Sequence, residues 1–339
     1  MNSIVFIGLL DDFGQNGETM KNRLFVNRFK EIYDSVFVFN PSGLKHKPWR
    51  ILSLIWMVLY HCHARIFISA SYGIGEPIVK LLWLLGKRNI CYWMVGGTFH
   101  NKILDGTLSS EFYKKIETII VQDEEMKQSL DKQGFNNIAY IPNSKRIDYI
   151  PIKTIRGVKT RFVFLSRIHP SKGCGEIIES VRILNSKGYF NKFYVDFYGV
   201  IDDSYKNFLN SIKDVSNISY KGFLNLNNKD GYDVLAQYDM MLFPTYWDGE
   251  GFPGVVIDAY IAGLPVLASD WNLNKNYIDD KTGIVIQHHR TDQLTDAMKM
   301  VLDGGFNIDE MSKCCQARAM NYDNRKVITK SILKELNLY

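Results

Sequence analysis

No run in the 339 residues reaches the roughly 18 consecutive apolar residues of a membrane-spanning helix. The five cysteines (Cys62, Cys91, Cys174, Cys314 and Cys315) make no C-x-x-C pair and no zinc-ligand spacing, so a reduced, intracellular protein is expected. The start lacks a basic n-region and soon meets Asp11 and Asp12; it reads as a first strand, not a signal peptide. There is no D-x-D acid pair of a metal site. The nearest stretches are Asp202-Asp203, read as a solvated helix start, and Asp248-Gly-Glu250. No G-x-G-x-x-G is read after a strand with a ribose-binding acid about 20 residues on, so a dinucleotide oxidoreductase is not expected. Internal repeats and low-complexity tracts are also lacking.

What is present is a globular composition, 46% apolar and 23% charged, at a length that suggests two domains. The net charge of +5 lies wholly in the first half. Residues 1–155 hold 19 Lys and Arg against 14 Asp and Glu, and residues 156–339 hold 22 against 22. A basic half suits anionic lipid, a phosphorylated acceptor or nucleic acid. The segment Trp49–Tyr60, behind Lys45-His-Lys47, reads either as a buried core helix or as an interfacial helix with basic flanks.

Short apolar runs alternate with helical patterns throughout. Strands are expected at Ile4–Ile7, Val36–Phe39, Ile66–Ser69, Ile90–Val95, Thr118–Val121 and Ile138–Ile141, then at Arg161–Ser166, Phe193–Tyr198, Ile218–Tyr220, Met240–Phe243, Pro265–Ser269 and Gly283–Ile286. Helices fit near 18–33, 49–62, 75–86, 123–133, 174–187, 203–213, 229–237, 254–262, 291–303, 307–320 and 325–336. This alternation predicts an α/β protein of two Rossmann-like domains, 1–152 and 153–320, with a linker at 143–157 and a C-terminal segment 321–339. Two such domains would face one another across a cleft.

The stretch Tyr246–Gly263 places a loop and an apolar helix between two strands. Pro253 suits the first turn of that helix and Gly263 its C-terminal cap. Asp258 lies inside it and needs a partner or a ligand, because burying a lone carboxylate is costly. Read blandly, that partner is a core Lys or Arg. Glu250 stands just before the helix, and Gly251 and Gly254 let a ligand approach the backbone at an anion-favouring helix start. Earlier, Phe164–Gly175 reads as strand, loop and helix start, with Arg167 and Lys172 placed to hold a diphosphate.

Taken together, Arg167…Lys172-Gly173, Glu250-Gly-Phe-Pro-Gly…Asp258-Ala and Ala262-Gly-Leu-Pro-Val-Leu-Ala-Ser-Asp270 resemble family-4 glycosyltransferases of the GT-B fold, over most of 161–305. Trp271–Asn274 and Pro142-Asn143 resemble the branch that builds bacterial surface polysaccharides such as capsule or O-antigen. The resemblance implies a retaining, metal-independent transfer of a sugar from a UDP- or GDP-linked nucleotide-sugar to a polysaccharide or a polyprenyl-linked oligosaccharide. No cofactor and no nucleic-acid partner are expected, and the protein is read as cytoplasmic, the basic first half suggesting peripheral contact with an anionic inner membrane face. Arg167 and Lys172 would hold the donor pyrophosphate, Glu250 the donor sugar and Asp258 the nucleotide ribose. Glu250, Arg167 and Lys172 would form the catalytic set, and Gly251, Phe252, Gly254 and Val255 would complete the donor site. Two departures stand out. Asp258 replaces a glutamate, so its reach is one methylene shorter, and Pro253 replaces a frequent glycine and removes an N–H.

In the first half, the glycine loop with Gly14 and Gly17 resembles the family's first loop. Gly96-Gly97-Thr98 stands where many members carry a histidine, and His100 falls off that position. Gly17, Gly96, Gly97 and Thr98 are expected to position sugar or acceptor. The C-terminal helix is expected to cross back to the first domain. Two rival functions remain: a nucleotide-sugar epimerase of the same fold, which would need no acceptor, and a non-catalytic nucleotide-sugar-binding partner subunit.

Overall fold

The computed structural model describes residues 2–11, 17–153 and 157–339. They form two compact units, one running to Arg146 and including Tyr322–Tyr339, the other Ile147–Asn321. Gly14 and part of the expected linker, residues 154–156, lie outside the described residues.

The first unit runs β1 (Ser3–Gly8), α1 (Gly17–Ile32), β2 (Ser35–Phe39), α2 (Arg50–Tyr60), β3 (Arg65–Ala70), α3 (Tyr72–Leu84), β4 (Ile90–Met94), α4 (Phe99–Leu104), α5 (Ser110–Tyr113), β5 (Thr118–Val121), α6 (Glu124–Lys132) and β6 (Ile138–Tyr140). Its strands make one parallel sheet in the order β2-β1-β3-β4-β5-β6. Helices cover the inner strands, which explains their unbroken apolar runs. All five residues of β4 are buried, whereas edge strand β2 buries only Phe39. An aromatic core of Phe6, Phe25, Phe29, Phe67 and Trp93 packs there, with Phe25 and Trp93 centroids 4.5 Å apart. Asp123 caps α6 by accepting Glu125 N–H at 2.8 Å.

The second unit runs β7 (Thr160–Leu165), α7 (Cys174–Ser186), β8 (Phe193–Tyr198), α8 (Phe208–Ile212), β9 (Ile218–Tyr220), α9 (Lys229–Leu235), β10 (Met240–Phe243), α10 (Gly254–Ile261), β11 (Val266–Ser269), β12 (Gly283–Ile286), α11 (Thr291–Leu302) and α12 (Ile308–Ala319). Its sheet is also parallel, in the order β12-β11-β10-β7-β8-β9. The mostly apolar α10, with Asp258 as its one acid, is buried against α12. The architecture is thus α/β, two six-stranded parallel sheets each flanked by helices.

The chain then returns to the first unit as α13 (Asn324–Val327) and α14 (Lys330–Glu335). Lys145 N–H donates to Tyr322 O at 2.9 Å, and Asn324 N–H donates to Lys145 O at 2.8 Å. Val327, Ile328, Leu333 and Leu338 are buried in the first core. The Tyr33 hydroxyl donates to Leu338 O at 2.7 Å.

Several helices differ from expectation. The single helix expected at 325–336 breaks at Ile328-Thr329, where Thr329 accepts Ile332 N–H and starts a new helix. α8 begins at Phe208, because Asp202 caps a separate 3-10 turn, Asp203–Tyr205. α3 begins at Tyr72 and carries Pro77 inside it. α4 and α5 were not expected. Pro253 is the N-cap of α10 and lies outside its first turn.

Candidate functional site

In the second sheet, β7, β8 and β9 progress one way and β10, β11 and β12 the other. The loops leaving β7 and β10 therefore diverge at their carboxyl ends, which is where open α/β sheets hold ligands. Arg167 and Lys172 follow β7, and Glu250 follows β10.

Local geometry turns Lys172 inward. His169 caps the 3-10 turn Pro170–Lys172, its Nδ1 accepting Ser171 N–H at 3.1 Å. Gly173 comes next at φ 76°, and a Cβ there would meet Pro244 O at 2.2 Å, so only glycine lets the two loops close. The Lys172 ammonium donates to Glu250 Oε2 in a short contact. Their side chains are only 8% and 12% exposed. The Thr245 hydroxyl lies 3.2 Å from the same oxygen.

The loop carrying Glu250 is held by its neighbours. Tyr246 N–H donates to Ser171 O at 2.8 Å, Trp271 Nε1–H to Trp247 O at 2.9 Å, and Asn272 Nδ2–H to Glu250 O at 3.0 Å. Trp247 is the centre of the group. The Arg167 guanidinium carbon lies 4.9 Å and Lys172 Nζ 5.7 Å from its ring centroid, within cation–π range, and the His169 ring meets it edge-on at 5.1 Å. Arg167 is otherwise half-exposed and pairs with Asp202 at 3.6 Å. The Asp202 carboxyl is held low chiefly by hydrogen bonds from Ser204, with Arg167 adding to them.

Asp258 is buried on α10 and accepts the Tyr232 hydroxyl at 2.7 Å. One partner of this carboxylate is thus a phenol. Burial first, and then the adjacent carboxylate, push the Tyr232 hydroxyl well above its usual range. Phe252 is buried with its ring stacked 3.7 Å from Tyr277, so only its backbone can face a ligand. Gly251, Gly254 and Val255 are half-buried around the start of α10, whose first N–H groups lack intrahelical acceptors.

The remaining expected residues belong to the first unit. Gly17 opens α1 and is exposed. Gly96, at φ 113°, and buried Gly97 follow β4, and Thr98 is the N-cap position of α4 without a side-chain bond. Burial lowers the pKa of His100. The structure thus brings Arg167, Lys172 and Glu250 together, sets Asp258 beside Tyr232, and places Gly17, Gly96, Gly97 and Thr98 in the other unit.

Two groups escaped the sequence. Trp247 gave no spacing signal of its own, although Gly249-Glu-Gly-Phe-Pro-Gly254 has the G-x-G-x-x-G spacing a few residues past β10. Lys21 is buried on α1, donating to Gln122 Oε1 at 2.7 Å with Nζ 5.7 Å from the Trp93 ring centroid. Burial pushes its ammonium down to about 7. Among the described residues, no cluster of three His, Cys, Asp or Glu could hold a metal, and no helix is long and apolar enough to cross a membrane.

The same architecture occurs in solved GT-B glycosyltransferases. Sucrose-phosphate synthase from Thermosynechococcus elongatus is 12% identical with a TM-score of 0.76, covering 99% of this chain and 98% of that one. Anabaena HepE, solved with UDP, is 12% identical with a TM-score of 0.73, covering 100% of both chains. Residues 159–304, which lie within the second unit, match the family model described as Glycosyl transferases group 1. An uncharacterized glycosyltransferase of Methanocaldococcus jannaschii is 27% identical over 172 residues, which span 47% of this chain and 41% of the relative. The chain therefore spans less than half the length of that curated relative.

Proposed function

We propose that this chain is a retaining glycosyltransferase that moves a sugar from a nucleotide-sugar to a polysaccharide or lipid-linked oligosaccharide, without a metal ion. The observation that carries the reading is the gathering of Arg167 and Lys172 on Trp247, with Glu250 against Lys172, at the sheet reversal. Departure of a nucleoside diphosphate builds charge on its β-phosphate, and cations fixed in place stabilise that charge as it forms. A charge-assisted hydrogen bond supplies about 1.5–3 kcal/mol, against roughly 0.3–1 kcal/mol from a helix end, so the two side chains outweigh α10. An ammonium has three donors, and Glu250 takes one. Glu250 then serves the donor sugar, and Asp258, held by Tyr232, the ribose.

UDP is the nucleotide we favour over GDP, since the Anabaena protein was solved with UDP and with UDP and glucose. The protein works in the cytoplasm, peripheral on the inner membrane face, with its basic first half toward anionic lipid. Thermal shift with UDP, GDP and their sugar conjugates tests the donor site, because a ligand that binds only the native state raises Tm. A rise with UDP that disappears in Lys172→Met is expected. No rise with any of these nucleotides would overturn the proposal. Turnover that survives EDTA is the expected sign of metal independence.

A further inference from the structure

Helix α2 links the edge strand β2 to β3 and buries only Leu54 and Val58. Its other side shows Trp49, Leu52, Trp56, Leu59 and Tyr60, each more than half exposed. Leu52, Trp56, Leu59 and Tyr60 are spaced i, i+4, i+7 and i+8, so they form one stripe turned away from the buried pair. The Trp56 and Tyr60 rings stack at 5.0 Å, making part of the stripe a continuous aromatic surface. An exposed apolar patch of this kind marks an interaction site.

Charge selects the partner. From Ser35 to Gly75 the sequence contains neither Asp nor Glu. Exposed Lys45, His46 and Lys47 precede the helix, and exposed His63 follows it. Arg50 is held by the carbonyls of Ser42 and Asn40, so Lys45 and Lys47 are the cations presented to a partner. We propose that this α2 face, fringed by Lys45 and Lys47, is where the protein docks on an anionic lipid bilayer. The leucines enter the acyl boundary, the Trp and Tyr rings sit at headgroup level, and the lysines meet lipid phosphates. A second copy docked through the same stripe would instead bring two acid-free, basic segments together. The inference rests on the peripheral-membrane reading above and supplies its contact surface.

The test is co-sedimentation with phosphatidylcholine vesicles, with and without phosphatidylglycerol. It compares the wild type, Leu52→Ser/Trp56→Ser/Leu59→Ser and Lys45→Ala/Lys47→Ala. These side chains are exposed, and melting curves check that the variants fold. The wild type is expected to pellet with the anionic vesicles, and each variant to lose roughly tenfold or more of that partitioning. A wild type that stays in solution overturns both this inference and the membrane reading. A triple variant that pellets like wild type overturns the assignment to α2 alone. A dimer in sedimentation velocity that the triple variant dissolves, without vesicle binding, overturns it in favour of self-association. The nucleotide thermal shift is read in parallel and reports the donor site independently.

Discussion

Replacing Lys172 by Met removes an ammonium while keeping most of the volume of its stem. The Glu250 carboxylate, only 12% exposed, then loses its cation. An uncompensated buried charge costs about 3–5 kcal/mol. The Thr245 hydroxyl 3.2 Å away offsets part of this, so we expect ~3 kcal/mol. For a unit of this size that is roughly 6–12 °C in Tm. Adding Glu250→Gln removes the stranded charge, and the double variant should return to within about 1 kcal/mol of wild type. Turnover should not return with it. Loss of one charge-assisted bond to the leaving diphosphate costs ~1.5–3 kcal/mol, or roughly 10–150-fold in rate. Urea or thermal melts read the first quantity, and nucleoside-diphosphate release from the donor reads the second. A double variant with wild-type turnover would refute the phosphate role. A single variant with unchanged Tm would refute the electrostatic argument.

Three further outcomes follow from the geometry. Tyr232→Phe deletes the hydroxyl given to Asp258 and should cost about 1–3 kcal/mol in urea melts; wild-type stability would show that other groups hold that carboxylate. Gly199→Ala places a Cβ 1.7 Å from Ser166 O at φ 145°, so a loss of about 3 kcal/mol or more and weaker UDP binding through a displaced Arg167 are expected. Neutral behaviour in both assays would count against that backbone constraint. Lys21 titrates at about 7 when folded against 10.5 for the free side chain, so the unfolded chain binds more protons between these values and stability gains with rising pH there. Lys21→Met removes that slope. Its stability relative to wild type should be greatest at and below pH 7 and shrink toward pH 10, and a difference constant with pH would contradict the burial of a charge.

The strands were legible because parallel strands covered on both faces must be apolar from end to end. Ile4–Ile7, Thr118–Val121 and Met240–Phe243 stand inside or coincide with observed strands. Longer helices were legible from their 3.6-residue period. α4 and α5 were not, since six and four residues complete too few turns to establish a period. The break at Thr329 was hidden because a capping threonine also fits mid-helix. At the site, the residue types after β7 and β10 were legible, and the pairings were not. Lys172 and Glu250 are 78 positions apart and Lys21 and Gln122 are 101 apart, so only the folded sheets bring them together. Whether α2 buries its tryptophans or displays them was equally open, because an amphipathic stripe is the same string of letters in either orientation.

The return of residues 322–339 to the first sheet has a consequence for biogenesis. A ribosome emits the amino-terminal sheet early but withholds Val327, Ile328, Leu333 and Leu338 until the whole of Ile147–Asn321 has emerged. The amino-terminal unit must therefore wait, with part of its hydrophobic surface uncovered, while the carboxy-terminal unit has every residue it needs to close first.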